Sequence, residues 1–237
     1  MSSSIWLYNI CKKNSLFIDD AQLNQLSNYV DNLITWNQNI NLISRSEENN
    51  IWQQQLLGSI SFLFQYALEE PSTILDLGTG GGLPGIPLAI LKPKLNVTLL
   101  DSIQKKINAI TNILLQLSLS NILVICSRAE ELGQKKKFQC AFDYIIARAV
   151  APTVDIIRWG IPLLKKSTAE KPLTSVPDKN ILVRKGSIIM LKGGDLTDEI
   201  RKARLKYPHV SITEHSIVIR GIGTEELVDK KVVIAIP

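Results

Sequence analysis

The sequence predicts an α/β protein with a mostly parallel sheet, and three observations carry the prediction. The first is Thr73-Ile-Leu-Asp76-Leu-Gly78-Thr-Gly80-Gly81-Gly82-Leu83-Pro84-Gly85-Ile-Pro-Leu88, where a short apolar run meets a glycine turn and a second apolar run from Ile86 to Leu91. That order reads as strand, tight turn and helix, because glycine lets the backbone turn sharply and lie close to a neighbour. The second is Asn96-Val-Thr-Leu-Leu-Asp101, a strand signal ending in an acid about 20 residues after the glycines. The third is the regular alternation of strand and helix patterns that follows, which implies parallel strands joined by right-handed crossovers.

Taken in order, Leu23, Leu26, Tyr29, Val30, Leu33 and Ile34 recur at spacings of three and four between Asp19 and Ile40. They form one face of a helix capped by Asp19 or Asp20. A connection over Ile40 to Arg45 leads to Ser46-Glu-Glu-Asn-Asn before Ile51, the cap and first turn of another helix expected to run through Leu68. Glu69-Glu70-Pro71-Ser72 stops it. Residues 1–70 are therefore expected as a helical N-terminal extension packed by its apolar stripe on the main domain, residues 71–237. In that domain Ile103 to Leu119 predicts a helix, Ile122 to Cys126 a third strand and Phe142 to Ala147 a fourth. Val154 to Leu164 predicts a further helix and Gly186 to Lys192 a fifth strand. Residues 166–185, polar and with two prolines, read as a loop insertion. Alternation at Val210 to Glu214, Ser216 to Arg220 and Lys231 to Ile236 predicts an antiparallel C-terminal edge.

Composition narrows the function classes. No apolar run approaches the roughly 20 residues of a membrane span, and the N-terminus lacks the basic region that opens a secretory signal, so a cytoplasmic protein with no membrane partner is expected. Cys11, Cys126 and Cys140 are widely spaced with no C-x-x-C pair, and His209 and His215 lie late in the chain, so no metal site is expected. A net charge of +5 is compatible with an RNA partner without requiring one.

The glycine turn favours a ligand that accepts hydrogen bonds from backbone N–H groups at a helix start. A literal G-x-G-x-x-G runs from Gly80 to Gly85, the dinucleotide pattern of a nicotinamide-dependent oxidoreductase, but it is out of register. Counted from Gly78, the first glycine after the strand, Leu83 falls where the third glycine belongs. Asp76 would repel a pyrophosphate and suits a cation, so Asp76, Gly78 and Gly80 favour S-adenosylmethionine, whose sulfonium and ammonium are both positive. Asp101 would hold the ribose hydroxyls. After the third strand, Ala129 and Glu130 in Ser127-Arg128-Ala129-Glu130 are placed to meet an adenine; the competing reading of Glu130 is an acid set against a helix dipole. Arg148 ends the fourth strand and can hold a phosphate or carboxylate in the cleft; the competing reading is a surface salt bridge. Lys192 closes the fifth strand similarly, with a solvated lysine as the competing reading, and the run Lys135-Lys136-Lys137 reads as a solvated loop rather than an RNA contact.

These residues resemble the ribosomal small-subunit methyltransferase G family, also called RsmG or GidB. The resemblance rests on Tyr29 to Leu42 around Trp36-Asn37, on Asp76-Leu-Gly-Thr-Gly-Gly-Gly-Leu-Pro-Gly-Ile-Pro-Leu88, and on Thr98-Leu-Leu-Asp101-Ser102. Ser127-Arg-Ala-Glu130 and Ala147-Arg148-Ala149 extend it. It implies a Rossmann-like S-adenosylmethionine-dependent methyltransferase fold and methylation of a guanine N7 in 16S ribosomal RNA. It further implies cofactor contacts at Gly78, Leu83, Ala129, Glu130 and Arg148, with Asp101 as the ribose acid. Family members usually show His-x-x-Asp-Ser where this chain has Gln55-Leu-Leu-Gly58-Ser59, a departure that bears on substrate engagement and not on cofactor binding. Guanine N7 carries a lone pair and no proton, so transfer needs no general base and no single catalytic residue is expected. The expected partner is 16S ribosomal RNA or the small subunit, met by a monomer, with Lys12, Lys13, Arg45, Lys105 and Lys106 as candidate phosphate contacts. The other readings are the oxidoreductase and an RNA-binding protein that keeps the cofactor fold without transfer.

Overall fold

The computed structural model describes residues 2–44, 48, 50–166, 181–223 and 229–237. Strands run over β1 (Tyr66–Leu68), β2 (Ser72–Leu77), β3 (Leu95–Asp101), β4 (Ile122–Cys126), β5 (Tyr144–Arg148), β6 (Ile181–Val183), β7 (Ser187–Gly193), β8 (Ser211–Ser216) and β9 (Lys230–Ile236). Helices run over α1 (Ser3–Lys13), α2 (Asp20–Asn37), α3 (Gly85–Leu91), α4 (Gln104–Leu117), α5 (Ala129–Gln134), α6 (Thr153–Gly160) and α7 (Thr197–Lys206). Among the described residues seven strands form the main sheet in the order β4-β3-β2-β5-β7-β9-β8. The first four neighbour pairs are parallel, and β7-β9 and β9-β8 are antiparallel, as the C-terminal alternation predicts.

The apolar runs at β2, β3 and β5 are unbroken because both faces of the sheet are covered. Alternate side chains then sort into two layers. Ile74, Val97, Tyr144 and Ile146 share one core with Leu26, Tyr29 and Leu33 of α2 and with Ile86 and Ile110. Leu75, Leu77, Ile145 and Met190 share the other with Ile157 of α6 and Ile200 of α7. Helix α2 starts at a reciprocal cap: Gln22 N donates to Asp19 Oδ1 (2.8 Å) and Asp19 N donates to Gln22 Oε1 (3.2 Å), which decides between the two candidate caps. Its apolar face packs against α3 and α4, over the glycine turn.

Three expectations are corrected. The helix expected through Leu68 ends at Phe64, after π geometry over Ile51–Leu57, a single α turn over Gly58–Ile60 and 3-10 geometry over Ser61–Phe64. The chain then turns to strand, with Tyr66 and Leu68 buried and Ala67 between them. Three residues are too few to carry a readable period. Their partner is β6, in parallel register Tyr66↔Ile181 to Leu68↔Val183, inside the stretch expected to be a loop. The remainder of that insertion and the cap expected at Ser46 lie outside the described residues. Helices α1 and α7 were not read from the sequence, and the alternation at Ser216 to Arg220 yields no strand beyond Ser216. Among the described residues no helix is long and apolar enough to cross a membrane.

Candidate functional site

Strand β2 delivers its last residues into a turn held from below and from the side. The N–H groups of Gly78 and Thr79 both donate to Leu100 O of β3, at 2.9 Å each. Gly78 adopts φ +73°, and a Cβ there would stand 2.7 Å from two methyl carbons of Val150, so only glycine fits. Asp76 lies beneath the turn, fully buried, its Oδ2 accepting from Thr79 Oγ1 at 2.6 Å and Gly85 N at 2.9 Å. Gly85 permits that approach, since a Cβ would fall 2.7 Å from the same oxygen. Burial raises the Asp76 carboxyl to about 6, against the pull of its two hydrogen bonds and of Arg148.

Asp76, expected as a cofactor contact, is therefore placed as a brace beneath the turn and does not line the cavity. Its Oδ1 is buried and without a hydrogen-bond partner. The other expected residues come together. Gly78, Gly80, Leu83, Asp101, Ala129, Glu130 and Arg148 line one cavity of about 470 Å³ beyond the carboxyl ends of β2, β3, β4 and β5. Asp101 accepts from Gly80 N (3.0 Å) on one oxygen and from Ile103 N (2.9 Å) on the other, tying the glycine turn to the start of α4. Each oxygen retains capacity for a second donor such as a ribose hydroxyl. Glu130 is exposed in the first turn of α5, so it meets the helix dipole and the cavity at once.

The N-terminal helices supply part of the wall, which composition and periodicity did not reveal. Tyr29 Oη of α2 donates to Gly81 O at 2.9 Å, fixing the turn from above. Asn37 Oδ1 accepts from the N–H groups of Leu42 (2.9 Å) and Ile43 (3.0 Å), which shapes the segment that brings Leu42, Ile43 and Ser44 to the cavity. The sequence signal was the Trp36-Asn37 to Asn41-Leu42 run, which reads as packing until the fold places it.

At the other end of the cavity the Arg148 guanidinium donates to Gln55 Oε1 and to Gln54 O, the latter at 3.3 Å. A Cβ on Gly58 would stand 3.7 Å from Arg148 Nη1. Both positions that depart from the usual family pattern thus lie beside Arg148. Gln55, Arg148 and Ala149 also line an adjoining cavity of about 340 Å³, together with Lys192, Glu199, Lys230 and Lys231. Lys192 is not a solvated lysine. Its side chain is 11% exposed, and its Nζ stands 2.7 Å from Glu199 Oε1 and donates to Ala151 O at 3.0 Å. Glu199 comes from α7 and was missed; the available signal was Asp198-Glu199 followed by Ile200 and Ala203 at helical spacing.

Of the candidate phosphate contacts, Lys106 lines the larger cavity, Lys12, Lys13 and Lys105 are exposed, and Arg45 lies outside the described residues. Lys135, Lys136 and Lys137 are exposed, as a solvated run would be. Among the described residues no group of three or more His, Cys, Asp or Glu side chains could hold a metal ion.

Comparison with known proteins adds independent findings. Residues 22–170 match the family model described as rRNA small subunit methyltransferase G. The ribosomal RNA small subunit methyltransferase G of Alkaliphilus metalliredigens is 37% identical over 70% of this chain and 69% of its own length. That of Chlorobium luteolum is 38% identical over 83% of this chain and 73% of its own. A crystal structure of a SAM-dependent methyltransferase from Aquifex aeolicus superposes with a TM-score of 0.50 at 14% identity, covering 80% of this chain and 98% of the other, a likeness of fold.

Proposed function

The chain belongs to the rRNA small subunit methyltransferase G family, and from that premise we propose that it methylates guanine N7 of 16S ribosomal RNA with S-adenosylmethionine bound at the glycine turn. The observation that carries this reading is the single cavity in which Gly78, Gly80, Asp101, Ala129 and Arg148 meet. The donor set fits the cofactor. The glycine turn admits close approach of a ligand without a Cβ in the way, Asp101 can accept from two ribose hydroxyls, and the Ala129 segment can meet the adenine edge. The buried Asp76 places negative potential beneath the turn, suited to a ligand with two positive centres. The nicotinamide alternative is not favoured, since that same charge opposes a pyrophosphate.

The cofactor supplies a methyl group on a sulfonium, and the protein's residues supply position and field. The acceptor nitrogen carries no proton to remove, so the wall needs no histidine or cysteine base. Arg148, fixed by Gln54 and Gln55, stands where the two cavities meet and can orient the acceptor against the donor. Helix α2 and the segment at Leu42 act as a cover on the turn. The protein works as a cytoplasmic monomer on the small subunit, with exposed lysines meeting phosphates.

Transfer of label from S-adenosylmethionine to small subunits lacking the modification tests the reading, with the product nucleoside identified by mass spectrometry. N7-methylguanosine in 16S RNA is expected. Cofactor binding without labelled RNA would overturn it and favour the binding-only alternative.

A further inference from the structure

Resting on the reading above, we propose that the adjoining cavity is the acceptor-base site and that Glu199 recognises guanine there through its N1–H and N2–H₂ groups, with Arg148 donating to O6. When N7 of a guanine faces the methyl donor, O6 lies next to it and the N1 and N2 donors point to the far side of the ring. A base spanning the shared wall would therefore set O6 near Arg148 and its donor edge deeper in the second cavity. Glu199 is the one acid on the described wall of that cavity. It is held rigidly: Thr153 N (2.6 Å), Thr153 Oγ1 (2.6 Å) and Lys192 Nζ (2.7 Å) all converge on Oε1. Oε2 takes part in none of these bonds, which leaves it as the oxygen to receive a base.

Burial works against the charge on Glu199, but the hydrogen bonds from Lys192 and Thr153 and the lysine's charge hold its carboxyl below the usual range. An ionised acceptor favours guanine and rejects adenine, whose N1 would present a lone pair to it. Gly58 lines the same cavity beside Arg148, where an added Cβ would stand 3.7 Å from Nη1.

The test is ligand-observed NMR titration of GMP, IMP and AMP into protein saturated with S-adenosylhomocysteine. GMP should bind at least about tenfold more tightly than AMP, with IMP, which lacks the N2 amine, between them. Glu199→Gln should bring the three within about twofold while S-adenosylhomocysteine affinity stays unchanged. Thr153→Val removes one donor to Oε1 and leaves Oε2 alone, so it should retain the order GMP, IMP, AMP; a merely structural Glu199 would make the two variants alike. Equal binding of GMP and AMP by the wild type, or a preference surviving Glu199→Gln, overturns the proposal. Failure of the wild type to bind S-adenosylhomocysteine would instead overturn the methyltransferase reading on which it rests.

Discussion

The two adjoining cavities differ in what builds them. The larger one is organised on a backbone turn, Gly78 to Gly85, held by Asp76 and Asp101 and covered by Tyr29, with side chains such as Leu42, Lys106 and Arg148 completing its wall. The smaller one is made of side chains brought from distant parts of the chain, with Gln55 and Gly58 from the N-terminal helices, Arg148 from β5, Lys192 from β7 and Glu199 from α7. A backbone cradle leaves a dense local signature, because the residues that permit it must be glycines and the acids that brace it lie within one βαβ unit. A side-chain pocket leaves a scattered one.

The first cavity should respond most sharply to added bulk. Gly78→Asp forces a left-handed backbone on a residue that resists it by about 1–2 kcal/mol and drives its Cβ into Val150. S-adenosylmethionine affinity should fall by at least about 100-fold, read by titration calorimetry. An affinity near the wild type would mean that the cofactor does not lie against this turn.

Asp76 beneath the turn gives the next effect, of about 3 kcal/mol for a shift from 3.8 to about 6. Below both values each state holds the proton. Between them the folded chain keeps a proton that the unfolded chain has released, so stability falls as pH rises from about 4 to about 6 and is level above. Asp76→Asn should lack this fall. Denaturant unfolding of both proteins across that window checks it, and parallel curves would show that the buried carboxyl is not perturbed.

At the shared wall, Arg148→Leu should lower kcat/KM for small subunits by about 30-fold, near 2 kcal/mol, and weaken both cofactor and acceptor. Gln55→Leu should cost less, about fivefold, since Gln54 O still receives the guanidinium. If Arg148→Leu moved only one of the two affinities, the residue would belong to one cavity and the division drawn here would shift.

The contrast also explains what the sequence shows and what it hides. Order and type of β2 to β5 were legible because each is an apolar run with a turn signal after it, and seven of the eight expected site residues line one cavity because they follow strand ends. The place of Asp76 beneath the turn was not legible because a motif gives the residue and not the direction of its side chain. Tyr66–Leu68 was read as helix because three residues cannot show a period, and its partner β6 arrives from more than a hundred residues away. A solvated reading of Lys192 stayed open because its counterion Glu199 sits on a helix whose pattern was not recognised.

The single-turnover rate of methyl transfer to unmodified small subunits, followed from about pH 6.5 to 9, tests most directly whether the site works by position and field alone. With an acceptor that carries no proton and so needs no base, the rate should be flat across that range. A rise approaching tenfold per pH unit would show that a proton must leave before transfer, and would contradict N7 as the acceptor.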